Sequence, residues 1–341
     1  IVDMRTELKN GNRSILSERL QQLIQDRLDK KQQIILFINR RGIAGFMSCR
    51  SCGYVVKCPH CDVSLSQHAQ GRMICHYCGY EQPAPKICPK CGSKYISGFK
   101  AGTQKIEEMI NMRFPTAVTI RMDYDTTRKK DSYEKILQAF RNHEADILIG
   151  TQMIVKGHDF PDVTLVGVLA ADMSLNVNDY RAAERTFQIL TQAIGRAGRG
   201  RYPGNAIIQT YEPEHFAIQT AKEQAYEAFY DKEIEYRKML RYPPVWNMLV
   251  LLITSDEQEE VQNRSEAVAK LIESIISQSE KKIQMIGPAD AGISKINDVY
   301  RKVIYIKTEQ YETLVSIKDF VDKSIRDNIK YKKISLQFDF N

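Results

Sequence analysis

Gln33-Ile34-Ile35-Leu36-Phe37-Ile38-Asn39-Arg40-Arg41-Gly42 is a run of strand length, apolar at odd and even positions alike, that turns abruptly polar. A strand buried on one face alternates, whereas one that is apolar throughout is covered on both faces, as in a parallel sheet between helices. Just upstream, Leu16, Leu20, Leu23, Ile24 and Leu28 recur at helical spacing, so an amphipathic helix feeds this strand. Far downstream the alternation resumes. Gly102-Thr103 opens a helix bearing Ile106, Met109 and Ile110, followed by a strand over 118–122, a helix over Ser132–Arg141 and a strand over 146–149. A strand over 164–169, a helix over 180–194 and a strand over Asn205–Thr210 complete it. Helices alternating with apolar strands predict an α/β fold with one parallel sheet covered on both faces.

The 341 residues exceed what one core organises, since domains cluster at roughly 100–150 residues, and two or three units are expected. A chain 43% apolar and 27% charged reads as soluble and globular, with no apolar run near the roughly 20 residues of a membrane span. Ile1-Val2-Asp3-Met4-Arg5 lacks the basic start and apolar stretch of a secretion signal, so a cytoplasmic protein is expected. The absence of an initial Met suggests a piece of a longer protein.

Between the first strand and the rest of the alternation lies an insertion holding all eight cysteines: Cys49-Arg-Ser-Cys52, Cys58-Pro-His-Cys61, Cys75-His-Tyr-Cys78 and Cys88-Pro-Lys-Cys91. Two residues between cysteines let a tight turn aim both sulfurs at one ion, and Gly53, Gly79 and Gly92 supply the turn with conformational freedom. Eight thiolates make two tetrahedral Zn²⁺ sites with no position left for water, so these are structural metals. Disulfides are disfavoured by strict pairs in an intracellular-looking chain, and His60, His68 and His76 are surplus to a full thiolate set. Pairing by succession and nested pairing are both open. Nesting, with Cys49/Cys52/Cys88/Cys91 around Cys58/Cys61/Cys75/Cys78, is preferred because it draws the insertion's two ends together. Residues 40–100 carry nine Lys/Arg against Asp62 and Glu81, which accounts for the chain's whole formal charge of +7. Two Zn(Cys)₄ sites would reduce that to about +3, so a nucleic-acid surface is plausible but weaker than the raw charge implies.

Ligands gather at the carboxyl ends of strands in such sheets, and two stretches are placed to carry chemistry. Gly150-Thr-Gln-Met-Ile-Val-Lys-Gly157-His-Asp159-Phe-Pro161 leaves one strand directly, and Gln192-Ala-Ile-Gly195-Arg-Ala-Gly198-Arg199-Gly-Arg201 ends a helix near another. Arginines alternating with glycines let guanidinium groups reach a triphosphate without bulky neighbours. The plainer alternative is that they complement a helix dipole.

The order of these motifs resembles the second motor lobe of superfamily 2 helicases. The insertion directly after Asn39-Arg-Arg-Gly42, with Lys156-Gly-His-Asp-Phe160 and Arg241-Tyr-Pro-Pro244, narrows the resemblance to the primosomal replication-restart helicases, the PriA family. It covers nearly the whole chain. The resemblance implies a RecA-like lobe in which Arg196 and Arg199 act on the γ-phosphate of ATP with Gln192 beside them. It also implies that Gly157 and Asp159 reach the nucleotide, and that Arg40, Arg41, Thr151 and Lys156 contact nucleic acid. It further implies ATP and Mg²⁺ in the complete enzyme, 3′→5′ unwinding, branched and single-stranded DNA as substrates, and single-strand-binding protein and other primosome components as partners. A monomer in the bacterial cytoplasm, acting at nucleoid forks, is expected. No G-x-x-x-x-G-K-[ST] occurs, so the lobe that grips ATP is missing and the chain alone is expected to be inactive.

From 215 to 240 runs a helical pattern ended by Pro243-Pro244, and beyond it the pattern reads βαββαβ, a small ferredoxin-like α+β domain. Between its central strands, 287–302 reads as an irregular loop in which Lys295, Tyr300 and Arg301 could hold phosphates and stack bases. The alternative leaves Tyr300 in the core and the cations solvated. The expected division is 1–44 with 99–240 for the helicase lobe, 45–98 for the zinc insertion and 241–341 for a C-terminal DNA-binding domain. A rival function is a non-catalytic zinc-ribbon adaptor for nucleic acid or protein; another is a related superfamily 2 translocase.

Overall fold

The structure is a computed structural model that describes residues 1–38, 46–60, 63–68, 71–98, 102–128, 131–155, 160–326 and 333–341. It divides into two compact units, Ile1–Val56 with Pro85–Phe229, and Lys57–Ala84 with Tyr230–Asn341.

Along the chain, β1 (Val2–Asp3), α1 (Met4–Lys9), α2 (Glu18–Asp29) and β2 (Gln33–Ile38) precede the cysteine-rich stretch. That stretch contains the short strands β3 (Met47–Cys49), β4 (Ser66–Gln67), β5 (Arg72–Ile74), β6 (Glu81–Pro83) and β7 (Ile96–Gly98). Then come α3 (Thr103–Arg113), β8 (Thr119–Met122), α4 (Ser132–Arg141), β9 (Ile147–Gly150), a 3₁₀ turn (Gln152–Val155), β10 (Val163–Leu169), α5 (Asp172–Leu175), α6 (Ala182–Ile194) and β11 (Asn205–Thr210). The chain closes with α7 (Phe216–Glu223), α8 (Tyr226–Leu240), β12 (Asn247–Ser255), α9 (Gln258–Ser277), β13 (Ile283–Ile296), β14 (Val299–Thr308), α10 (Tyr311–Arg326) and β15 (Ser335–Phe340).

In the first unit, six described strands form a sheet in the order β1-β11-β10-β2-β9-β8, and every pairing is parallel. Strand alternation sorts the apolar run of β2 onto two faces. Ile35 and Phe37 join Leu148, Val166 and Val168 beneath α4 and α6, whereas Ile34, Leu36 and Ile38 join Ile147, Ile149 and Leu165 beneath α2 and α3. The sheet is therefore a α/β layer covered on both sides, as the continuous apolar run predicts. Gly167, facing α2, is needed because a Cβ there would lie 2.8 Å from Leu36 and 3.1 Å from Leu20.

Elements at the two ends of this lobe depart from the sequence reading. β1 adds a sixth strand, pairing Val2 with Gln209 and Asp3 with Thr210. The single helix expected over 215–240 is two, because Gln224 adopts a left-handed conformation (φ 53°) that closes α7.

The second unit contains the four-stranded antiparallel sheet β13-β14-β12-β15, so β14 lies between the strands of the first βαβ crossover, as a ferredoxin-like fold requires. Leu249, Leu251, Ile253, Ile304 and Ile306 meet Val268 and Ile272 of α9 and Leu314, Ile317 and Val321 of α10. Both helices thus cover one face. On the other, Tyr305 stacks with Tyr77 at 4.7 Å and 20°, and the buried Lys307 places its ammonium 3.5 Å from the Tyr242 ring centroid. The irregular loop expected over 287–302 is a hairpin instead. β13 continues to Ile296 and absorbs Gly287, Pro288 and Gly292 as register shifts between Ile286 and Ala289 and between Asp290 and Lys295.

Candidate zinc centres and motor-lobe motifs

Three of the cysteine pairs close a turn that returns the chain onto its first cysteine. Gly53, Gly79 and Gly92 donate their N–H to the carbonyls of Cys49, Cys75 and Cys88 at 2.8, 2.9 and 2.9 Å, and all three have φ between 71° and 77°. Only glycine enters that region without strain, which is why it follows these pairs. The sulfurs converge in two groups, Cys49/Cys52/Cys88/Cys91 and Cys58/Cys75/Cys78, with the ligand atoms of each group within 4.8 Å of one another. Closest pairs are Cys49 to Cys91 and Cys52 to Cys88, both 3.7 Å, and Cys58 to Cys78, 3.5 Å. Four sulfurs about 2.3 Å from a tetrahedral Zn²⁺ stand about 3.8 Å apart, so the donor set and spacing fit zinc. The grouping is nested. Cys61, the expected fourth inner ligand, lies outside the described residues. Among the described residues the groups contain sulfur alone: His68 and His76 face each other, Nε2 to Nε2 at 3.1 Å, and His76 Nδ1 lies 3.3 Å from the Asp290 carbonyl.

Thiol acidity differs across the outer group. Burial pushes Cys52 up to about 12, while at Cys88 burial is outweighed by the N–H groups of Cys91 and Lys90, which bring it down to about 7. The outer centre is anchored in the first unit. Arg50 Nε donates to the Tyr211 hydroxyl at 2.9 Å, and a Cβ on Gly53 would overlap the Tyr211 carbonyl. The inner centre belongs to the second unit, where Tyr77, between Cys75 and Cys78, stacks on β14.

The arginine motif follows α6, whose buried face of Thr186, Phe187, Leu190 and Ala193 leaves Gln192 exposed. A right-handed crossover returns its helix to the amino ends of the strands. The arginine turn therefore lies at the edge opposite to the one expected. Gly198 N–H donates to the Val163 carbonyl at the start of β10 at 2.9 Å, and a Cβ on Gly200 would overlap the Pro161 carbonyl. Gly198 itself has φ 74° and abuts Gly204. These glycines exist to let backbones touch. Gln192 lies in the last turn of α6, and Arg196 and Arg199 follow its end; Arg199 Nε donates to the Gly195 carbonyl at 2.6 Å, covering one carbonyl of the helix end.

Thr151 leaves β9 at the carboxyl edge, its N–H 3.4 Å from the Met122 carbonyl and its own carbonyl accepting from Ile154 at 3.0 Å. Thr151 and the arginine turn thus sit at opposite edges, joined by residues 151–163. Arg40, Arg41, Lys156, Gly157 and Asp159 lie outside the described residues. In the second unit, Lys295 reaches Asp298 at 2.8 Å and sits 4.7 Å from the Tyr300 ring centroid. Asp298 holds that ammonium above its ordinary value. Arg301 donates to the Ile293 carbonyl at 3.3 Å, and Lys302 pairs with Asp290 at 3.0 Å. With Gln258 and Glu259, the side chains of Asp290, Lys295, Tyr300, Arg301 and Lys302 line an open cleft of about 640 Å³.

Sequence reasoning missed Asp172, at the carboxyl end of β10. It is fully buried, accepts from the Thr210 hydroxyl and the Tyr211 and Glu212 N–H groups, and burial raises it to about 6. A lone acid after an apolar strand gives no signal of such a role.

A parallel motor lobe ending in an arginine turn, interrupted by a cysteine-rich ribbon, defines a helicase C-terminal lobe of zinc-carrying type. The model of the helicase conserved C-terminal domain matches residues 97–201, that of the PriA DNA helicase Cys-rich region residues 58–83, and that of the primosomal protein N C-terminal domain residues 238–341. The chain belongs to the PriA family of replication restart proteins. It is 44% identical over 342 residues to replication restart protein PriA of Bacillus subtilis, covering 100% of this chain and 42% of that protein. It is 48% identical over 312 residues to the protein of that name from Synechocystis, covering 90% and 37%, and 33% identical over 316 residues to that of Thermotoga maritima, covering 92% and 41%. The chain therefore spans well under half the length of these relatives. Its cysteine-rich region binds zinc. Among the described residues no helix is long and apolar enough to cross a membrane.

Proposed function

We propose that this chain is the second motor lobe, zinc insertion and C-terminal domain of an ATP-dependent 3′→5′ DNA helicase. It recognises branched or stalled replication forks and promotes primosome assembly and replication restart. The observation that supports the reading is the parallel lobe with the arginine turn packed on Pro161 and Val163 at one edge and Thr151 leaving β9 at the other.

The nucleotide binds between this lobe and a partner lobe carrying the phosphate loop, which these 341 residues lack. MgATP supplies the free energy of translocation. Toward it the chain offers Arg196 and Arg199 for the γ-phosphate, Gln192 beside them, and Gly157 and Asp159 for the nucleoside side. Arg40, Arg41, Thr151 and Lys156 track the DNA backbone, and Lys295, Tyr300 and Arg301 contact DNA from the second unit. Two structural zinc ions, one per cysteine group, are the expected complement. Single-strand-binding protein and other primosome proteins are the partners the family reading supports, with the protein a monomer in the cytoplasm at nucleoid forks.

Charge removal at Arg196 and Arg199 in the full-length protein tests this. An arginine finger is worth about 1,000- to 100,000-fold in turnover, so DNA-stimulated ATP hydrolysis should collapse while fork binding persists. Unchanged turnover would favour the non-catalytic adaptor. The 341-residue chain by itself should show no DNA-stimulated hydrolysis.

A further inference from the structure

The turn that follows β8, Asp123-Tyr-Asp-Thr-Thr-Arg128, carries no role in the reading above. β8 and β9 are adjacent and parallel with Met122 opposite Gly150, so this turn leaves the sheet beside Thr151. The two are packed together. Thr127 Oγ1 lies 3.9 Å from Met153 Sδ, and a Cβ on Gly150 would sit 2.6 Å from both the Met122 carbonyl and Ile154 Cγ2. Asp123 fixes the turn from inside: its buried carboxylate accepts from the Thr103 hydroxyl and from the N–H groups of Asp125 and Thr126 at 2.5, 3.0 and 2.9 Å. Its carbonyl accepts from the hydroxyls of Thr126 and Thr127 at 3.1 and 2.7 Å. Although burial opposes it, the bond from Thr103 with those from Thr126 holds the Asp123 carboxyl below the usual range.

On this heavily bonded turn Tyr124 stands 73% exposed, with the Arg128 guanidinium 4.9 Å from its ring centroid. The ring's contact within the turn is with Arg128, which also pairs with Asp125 at 3.3 Å, and its aromatic body stays in solvent, whereas a structural tyrosine buries it. A pre-ordered aromatic ring with a cation behind it, next to a phosphate contact, is the arrangement on which unpaired bases stack. We propose that Tyr124, backed by Arg128, is a stacking platform for a base of single-stranded nucleic acid whose backbone is held at Thr151. This rests on the reading of Thr151 as a nucleic-acid contact, and adds the base-stacking residue to it.

The experiment measures binding of a short fluorescein-labelled oligothymidylate to the zinc-loaded chain across a salt series. Tyr124→Ala should weaken binding by about 5- to 100-fold, the worth of one stacked base, and leave the salt slope unchanged because no charge is removed. Tyr124→Phe should restore binding to within about twofold, since stacking needs the ring and not the hydroxyl. An unchanged melting temperature in both variants shows that the fold is intact. Wild-type chain that fails to bind overturns the nucleic-acid reading of the lobe itself. If wild-type binds, Thr151→Val weakens it and Tyr124→Ala does not, the platform alone is overturned. Loss that Tyr124→Phe does not rescue, or a reduced salt slope in Tyr124→Ala, also overturns it.

Discussion

Asp172 shows how one side chain fixes the end of a strand. Its carboxylate gathers the Thr210 hydroxyl and two backbone N–H groups after β11, and Asn176 Nδ2 donates to its carbonyl at 3.0 Å, so it ties the ends of β10 and β11 together. Burial raises its pKa from 3.8 to about 6 against those bonds, which gives a signed expectation. A carboxyl raised in the folded state favours folding while protonated, so its contribution is complete below the unfolded value and is lost as pH rises from about 4 through about 6. The loss is on the order of 3 kcal/mol, the free energy of a shift of about two pK units. Urea denaturation of wild-type and Asp172→Asn across that window should show the wild-type losing stability relative to the variant as pH rises. Parallel pH profiles would mean that Asp172 titrates in the ordinary carboxyl range and does not tie folding to its protonation.

Helices and strands with long runs of buried residues were legible in the sequence, because each signal came from many side chains agreeing. β2 is the clearest case: its apolar positions of both parities required two covered faces, and the two clusters on either side of the sheet are that requirement met. β1 escaped because two residues carry no periodicity; its pairing with Gln209 and Thr210 is decided by tertiary contact. The arginine motif's place was not legible, since the edge it occupies follows from crossover handedness and not from local residues. The 287–302 hairpin was hidden because Gly287, Pro288 and Gly292 read as breakers, whereas a long strand tolerates them at bulges. Gln224 is the same lesson inverted: nothing in its side chain marks a helix end, yet its φ of 53° divides the expected single helix. A non-glycine residue in that region costs about 1 kcal/mol relative to glycine. Gln224→Gly should therefore stabilise the chain by about 0.5–1 kcal/mol, read as a raised denaturant midpoint with unchanged slope. Gly200→Ala should do the opposite by about 2–4 kcal/mol, because its methyl group meets the Pro161 carbonyl and backbone must move. A neutral Gly200→Ala would show that the arginine turn is not held against β10.

At the scale of the whole molecule, the two cysteine groups are not one mini-domain energetically, because their non-metal contacts differ. The outer group is fixed through Arg50 and Gly53 to Tyr211, in the unit with the parallel sheet. The inner group is fixed through Tyr77 on Tyr305, and covers the face of the antiparallel sheet that α9 and α10 leave open. Structural zinc contributes folding free energy to whatever its knuckles pack against, so each ion should stabilise a different half of the protein. Cys75→Ser removes an inner ligand and should release Tyr77; an aromatic pair is worth about 0.5–1.5 kcal/mol beyond its buried area, so amides of β14 should exchange at least several-fold faster. Cys88→Ser should leave β14 protected and instead speed exchange in β3, β7 and the residues around Tyr211. Hydrogen exchange read by mass spectrometry on the zinc-loaded chain distinguishes the two patterns segment by segment. If either substitution loosened β14 and the Tyr211 region equally, the two metals would be stabilising a single cooperative unit, and the assignment of one centre to each half would be wrong.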